Sequence, residues 1–274
     1  MVKIDFSYAS KVEHNIAQRF VIKTIETLTG KKKLENLYKN YSLDYHKPIN
    51  FWSDILRLMN IKIINKSPYP FDVSKKGPLI VIANHPYGII DGLILCSLVS
   101  NKREDFKIMT HETLKFLPQL EKFILPVDFS NNKKETIKQN LNTAKNAISH
   151  LKNDGVLIIF PSGSVSTAKS LKSDAKDDEW KTFPAKLIHQ TEADVLPIFF
   201  DGKNGFLYHL FASKLKSQTL KYSTYIHETK KKIGKSIAIY TGKTIKYKDL
   251  EHIKNRSELT RHLKELTYNL RNRS

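Results

Sequence analysis

The segment Asn84-His85-Pro86-Tyr87-Gly88-Ile89-Ile90-Asp91-Gly92 puts an imidazole and a carboxylate in one short stretch, with five residues between them. An imidazole accepts a proton near neutral pH, and a neighbouring carboxylate fixes its tautomer and stabilises the imidazolium that forms. His85 and Asp91 therefore have the equipment of a general base acting on a hydroxyl. The same pair admits a plain reading, a satisfied polar pair at a helix start with Asp91 as cap. A second segment, Pro161-Ser162-Gly163-Ser164-Val165-Ser166, is a tight polar loop whose backbone N–H groups could line a site beside the first. That second loop favours the catalytic reading.

Both segments follow apolar runs, so both sit where a strand ends. Leu79 to Ala83, opened by Gly77-Pro78, reads as a buried strand, and Leu93 to Val99 begins a helix after the first loop. Asn153-Asp154-Gly155 reads as a turn before a second strand, Val156 to Phe160. Further strand-like runs are Phe106–Met109, Phe123–Val127, Val195–Phe200 and Ser236–Tyr240. Helical spacing appears in Ile137, Leu141, Ala144, Ile148 and Leu151, from Trp180 to Gln190, and in Leu259, Leu263, Leu266 and Leu270. Strands alternating with helices predict an α/β fold, a largely parallel sheet covered by helices on both faces. Ahead of it, Ile16, Phe20, Val21, Ile25 and Leu28, then Phe51, Trp52, Ile55, Leu56 and Met59, predict an N-terminal helical segment. These stripes either cover the sheet or, bearing Phe and Trp, lie in a bilayer interface. The expected division is residues 1–70 as a helical segment, with membrane contact as one of its two readings, and residues 71–274 as the domain carrying both loops.

At 274 residues the chain can bury one sizeable core. Its 46 Lys and Arg against 27 Asp and Glu give +19, a charge that favours polyanions, either nucleic acid or an anionic lipid surface. Zinc-finger spacing, aromatic RNA-binding strands and basic zippers are absent from the sequence, but charge alone does not choose the partner. The single Cys96 excludes an intrachain disulfide and a Cys-rich zinc site, and in its apolar run it reads as a buried thiol. Met1 to Ser10 lack an apolar signal core, and no run approaches the roughly 18 apolar residues of a spanning helix. The expected location is cytoplasmic, in solution or peripherally bound to the inner face of the membrane.

In these blocks the chain resembles the glycerolipid (lysophospholipid) acyltransferase family, which moves acyl chains from thioester carriers to lysolipid hydroxyls. His85, Pro86, Gly88, Asp91 and Gly92 match the His-Pro-x-Gly-x-x-Asp-Gly of its hemolysin-like and ornithine-lipid acyltransferase branch. Elsewhere in the family four residues, rather than five, separate the His from the Asp. Phe160, Pro161, Gly163 and Ser166 match the third block, Phe-Pro-Glu-Gly-Thr-Arg-Ser, with Ser162 in place of Glu and Val165 in place of Arg. Val195-Leu196-Pro197-Ile198-Phe199-Phe200 resembles the fourth block. Phe123-Ile124-Leu125-Pro126-Val127-Asp128 resembles the second, where an Arg usually follows the Ile. The similarity runs from about Gly77 to Lys243.

The resemblance implies an O-acyltransferase with a His85–Asp91 dyad and substrate contacts from Asn84, Pro86, Gly88, Phe160, Pro161, Ser162, Gly163, Ser164 and Ser166. The donor would be a thioester of acyl carrier protein or coenzyme A, with no metal or other cofactor. The partners would be a lysolipid and an anionic membrane surface, and not nucleic acid. The acceptor oxygen would attack the thioester directly, and N–H groups around Gly163 and Ser164 would stabilise the oxyanion. In relatives acting on glycerol 3-phosphate or lysophosphatidate, Arg residues of blocks two and three are thought to hold the phosphate. Asp128 or a neighbour and Val165 replace them here, so a lysolipid without a terminal phosphate, such as lyso-ornithine lipid, is the expected acceptor. The alternative is 1-acylglycerol-3-phosphate, with Lys169 or Lys181 as a substitute point charge. Two rivals belong to other classes. A serine hydrolase using Ser162, Ser164 or Ser166 would need a Gly-x-Ser-x-Gly elbow, which the chain lacks. A non-catalytic membrane-binding protein with a decayed motif draws on the missing Glu, and the intact His85 and Asp91 oppose it.

Overall fold

The structure is a computed structural model that describes Asn36, Tyr41 and residues 47–111, 118–127, 133–170, 172–210 and 218–273. The apolar stripe expected over residues 12–28 and the position of Asp128 lie outside the described residues.

Seven strands, β1 Lys62–Asn65, β2 Leu79–Ala83, β3 Phe106–His111, β4 Ile124–Val127, β5 Val156–Ile159, β6 Asp194–Asp201 and β7 Ser236–Thr241, form one sheet. Their order is β1-β7-β6-β2-β5-β3-β4. β2 pairs in parallel with both β5 and β6, and β3 in parallel with β5 and β4. β7 turns antiparallel to β6 and carries β1 parallel to itself. The sheet is therefore mixed and mostly parallel, as the alternation of elements predicts.

All five residues of β2, Leu-Ile-Val-Ile-Ala, are buried, because helices cover both faces of a central strand. On one face Leu79, Val81 and Ala83 share a core with the helices α1 Phe51–Leu58 and α2 Ile89–Ser100. On the other, Ile80 and Ile82 pack with the helices α3 Lys133–Lys152, α4 Phe183–Thr191 and α8 Arg256–Asn269. The short helices α5 Phe206–His209 and α7 Tyr247–Leu250 and the helix α6 Gln218–Lys231 fill the connections around β6 and β7. At the N-terminal ends of β2 and β5, the buried Arg103 donates to the carbonyls of Ser74, Gly77 and Asp154 and pairs with Asp105. That guanidinium ties one end of the sheet together, and His85 and Asp91 lie at the other.

The structure corrects three details of the sequence reading. Phe51 and Trp52 are only 6% exposed, so they are core residues and not a bilayer contact. Trp52 meets Phe106 and Phe123 edge-on, and Ser53 bonds Ser97 at 2.9 Å, which pins α1 to α2. α3 turns Thr143, Ala147 and Leu151 inward, while Ile137 and Leu141 of the expected apolar stripe face solvent. β1 was not apparent, because Lys-Ile-Ile-Asn is a four-residue edge strand with little burial. It nevertheless joins the sheet, ahead of the expected division at residue 70.

Candidate active site

β2 ends at Ala83, and the next residue locks the exit. Asn84, buried, donates its Nδ2 to Phe200 O at 2.9 Å and accepts from Phe200 N–H at 2.7 Å, clamping the ends of β2 and β6. His85 follows, and its Nδ1 lies 3.0 Å from Asp91 Oδ2. The same carboxylate oxygen accepts N–H bonds from Tyr87 at 2.8 Å and Gly88 at 3.0 Å. Asp91 sits in the first turn of α2, where its charge also meets the positive end of the helix. Its Oδ1 is buried and has no hydrogen-bond partner among the described residues. Burial pushes the Asp91 carboxyl up, while the His85 contact and the two N–H bonds pull it back.

Gly88 allows this geometry. It adopts φ +74°, and a Cβ there would stand 3.2 Å from Val165 Cγ2. The extra residue between His85 and Asp91 is thus absorbed in a turn that only glycine enters easily, and the dyad still closes. Pro86 is buried in the same turn.

The second loop lies against the first. Ser166 N–H donates to His85 O at 2.8 Å, and the Phe160 ring stacks on the imidazole at 4.0 Å and 21°. The side chain of His85 keeps 17% of its surface open, and with Nδ1 turned to Asp91, Nε2 is the nitrogen left for a substrate proton. Pro161, Ser162 and Ser166 are buried. Ser162 Oγ donates to Ser164 O at 2.7 Å, and Ser164 Oγ donates to Asp178 at 3.0 Å. Gly163, at φ +68° and exposed, uses its N–H on Phe160 O at 3.0 Å. The Ser164 N–H is engaged only by a long 3.4 Å bond to Ser162 Oγ. Lys169 and Lys181 are both exposed, and Lys181 N–H bonds Pro161 O at 2.9 Å, which puts that residue beside the loop.

Asp177 is the residue that sequence reasoning missed. Buried, it accepts from His85 N–H at 3.1 Å, from Ser166 Oγ, and from Trp180 Nε1 at 2.8 Å. Its own N–H donates to Tyr268 Oη at 2.8 Å, so α8 supports it from behind. One carboxylate thereby joins the two loops, and burial raises its pKa above the ordinary range. The acidic run Asp177-Asp178-Glu179 in a Lys-rich stretch was the available signal. Tyr87, also unforeseen, donates its hydroxyl to Asp201 O at 2.7 Å and carries the Lys232 ammonium 4.1 Å above its ring.

The family model for acyltransferases matches residues 60–201, just over half of the chain and the span that holds both loops. The chain belongs to the acyltransferase family. This acyltransferase is 24% identical to a lyso-glycine lipid O-acyltransferase of Bacteroides thetaiotaomicron, over 94% of its own length and 92% of the relative's. It is also 24% identical to a lyso-glycine lipid O-acyltransferase of Phocaeicola vulgatus, over 73% of its length and 70% of the relative's. Among solved structures it resembles the 1-acyl-sn-glycerophosphate acyltransferase PlsC of Thermotoga maritima, with a TM-score of 0.51 and 14% identity. That match covers 96% of the acyltransferase and 83% of the PlsC chain. At that identity the likeness is one of fold. Among the described residues, no helix of the acyltransferase is long and apolar enough to cross a membrane.

Proposed function

We propose that this acyltransferase moves a fatty acyl chain from a thioester to the hydroxyl of a lyso-amino-acid lipid, with His85 as general base. The observation that carries the proposal is the 3.0 Å contact between a partly open imidazole and a buried carboxylate at the end of the central strand. His85 Nε2 takes the proton of the acceptor hydroxyl, and the oxygen attacks the thioester carbonyl. Asp91 holds Nδ1–H and stabilises the imidazolium. The tetrahedral oxyanion collapses, the carbon–sulfur bond breaks, and the thiolate recovers the proton from Nε2. The Ser164 N–H, the less committed of the two expected donors, would turn to the oxyanion. The donor is a thioester of acyl carrier protein or coenzyme A, and the reaction takes place at a lipid surface.

Two observations support an acceptor without a phosphomonoester. The curated relatives named above act on lyso-glycine lipid, and their similarity spans most of both chains. Val165, which stands where the family resemblance expects an Arg, is buried and packed on Gly88, so a guanidinium has no counterpart there. Lyso-glycine lipid and lyso-ornithine lipid share an N-acylated amino acid headgroup, and both belong to the proposed class. The test incubates purified protein with an acyl thioester and equal concentrations of lyso-glycine lipid, lyso-ornithine lipid and lysophosphatidate, and reads products by mass. The amino-acid lipids should be acylated at least tenfold faster. A strong preference for lysophosphatidate would overturn the acceptor while leaving the His85 chemistry intact.

A further inference from the structure

Among the described residues six large hydrophobic side chains stand open to solvent, and four of them form two pairs, Ile137 and Leu141 at 58% and 57%, and Phe206 and Leu207 at 49% and 48%. Their height on the molecule follows from the register of the sheet. Val81 pairs with Ile158, Ile158 with Ile108, and Ile108 with Ile124. Ala83, Phe160 and Pro126, each two residues further on, therefore lie at one level, where the strands end and His85 begins. Thr143 Oγ1 donates to Pro126 O at 2.6 Å, which fixes α3 at that level. α3 runs back from the end of β4 to the start of β5, so residues before Thr143 stand past the strand ends. With a rise of 1.5 Å per residue, Leu141 is about 3 Å and Ile137 about 9 Å beyond that level. On the other side of β2, Ala83 pairs with Ile198, and β6 continues to Asp201 before α5 begins at Phe206. Both apolar pairs thus flank the dyad at the same end of the molecule, across about 19 Å of sheet.

The charge along α3 is mostly of one sign. Lys134, Lys138 and Lys145 are exposed and share an arc of α3 with Ile137 and Leu141 by their three- and four-residue spacing. Glu135 is the one acidic residue of that 20-residue helix. At α5 the Lys231 ammonium lies beside Gly205, next to Phe206, and pairs with Glu228 at 3.2 Å. The other exposed apolar residues, Ile64 and Tyr69, belong to the edge strand and the turn after it, and Lys243 covers the Tyr69 ring at 4.8 Å.

We propose that this end of the molecule is the face that lies on an anionic bilayer, with Ile137, Leu141, Phe206 and Leu207 entering the interface and the α3 lysines meeting lipid phosphates. The inference rests on the lysolipid reading for its purpose, which is to bring a membrane-borne hydroxyl to His85 without lifting it into water. Its chemistry stands independently. Basic residues interleaved with aliphatic ones match an anionic interface. A bilayer interface accounts for the exposed apolar pairs on both sides of the dyad as well as for the lysines, whereas an acidic carrier protein accounts for the lysines.

The test is sedimentation of the full chain with vesicles of phosphatidylglycerol and phosphatidylcholine, and with phosphatidylcholine vesicles alone. Wild type should bind the anionic vesicles, and binding should weaken as salt rises. Ile137→Glu with Leu141→Glu, Phe206→Glu with Leu207→Glu, and the charge-only pair Lys134→Glu with Lys138→Glu should each lower the bound fraction at least fivefold. Lys152→Glu, at the far end of α3, should bind as wild type. Activity supplies a second readout, because the ratio of turnover on dissolved short-chain acceptor to turnover on vesicle-borne acceptor should rise at least tenfold in the apolar variants. Binding unchanged in all three pairs would overturn the proposal. So would normal vesicle binding with a raised KM for a carrier-protein donor, which would assign α3 to that protein instead. Vesicle binding needs no acyl acceptor, so its outcome is independent of whether the lysolipid reading holds.

Discussion

Asp91 performs two tasks that oppose each other in energy. Its ionised form orients His85 and would stabilise the imidazolium, yet it is fully buried, and burial raises its pKa. His85→Ala should lower kcat about a thousandfold with the fold unchanged by circular dichroism, the usual scale for a lost general base. Asp91→Asn should retain the N–H bonds from Tyr87 and Gly88 through its amide oxygen and still lose about a hundredfold or more, because it cannot stabilise the imidazolium. Stability should move the other way. The unfolded chain releases the Asp91 and Asp177 protons in the ordinary carboxylate range, and the folded chain releases them only at higher pH. Over that interval the unfolded state holds fewer protons, so stability falls as pH rises. Urea midpoints measured across that interval should fall less steeply in Asp91→Asn than in wild type, and an unchanged slope would contradict the assignment. His85 and Asp91 were legible in the sequence because their spacing survives in one short segment. Asp177 was not, because 92 residues separate it from the backbone amide it holds and only the fold joins them.

The elements around the dyad were largely visible from their apolar runs, since β2, β5 and β6 are buried on both faces and read as continuous hydrophobic stretches. Helix faces were harder. Spacing alone grouped Ile137 and Leu141 with Ile148 and Leu151, but α3 overhangs the end of the sheet, so its first half has no strand to cover. Periodicity reports which residues share a face and cannot report how far the neighbouring sheet extends. The loop between β2 and α2 makes a sharper prediction. Gly88→Ala would place a methyl group 3.2 Å from Val165 Cγ2 at a φ of +74°, a backbone state costing an L-residue about 1–3 kcal/mol. The loop can relieve this only by moving the Gly88 N–H away from Asp91. Turnover should fall at least tenfold while the melting temperature drops by only a few degrees. An active, stable alanine variant would show that the turn has an alternative path.

Over the whole molecule, the two ends of the sheet divide the work. The C-terminal ends of β2, β5 and β6 carry the dyad, the Asn84 clamp and the Asp177 bridge. The N-terminal ends are held by Arg103, whose guanidinium joins Ser74, Gly77 and Asp154 through their carbonyls and Asp105 through its carboxylate. Arg103→Met would keep the apolar stem but leave three backbone acceptors and a carboxylate without their donor, at a cost of about 3 kcal/mol. That loss should lower the melting temperature by several degrees and leave kcat and KM within about twofold of wild type, since the strand ends at His85 keep their own clamp. Acid should narrow the difference between the two proteins. Arg103 holds the Asp105 carboxyl below its ordinary pKa, so the stability it lends is present above the ordinary carboxylate range. It is lost as pH falls through the depressed value. Thermal melts at neutral and acidic pH, run beside steady-state kinetics, check both statements. A variant that melts early and also loses turnover in proportion would mean that strain at one end of the sheet reaches the dyad at the other.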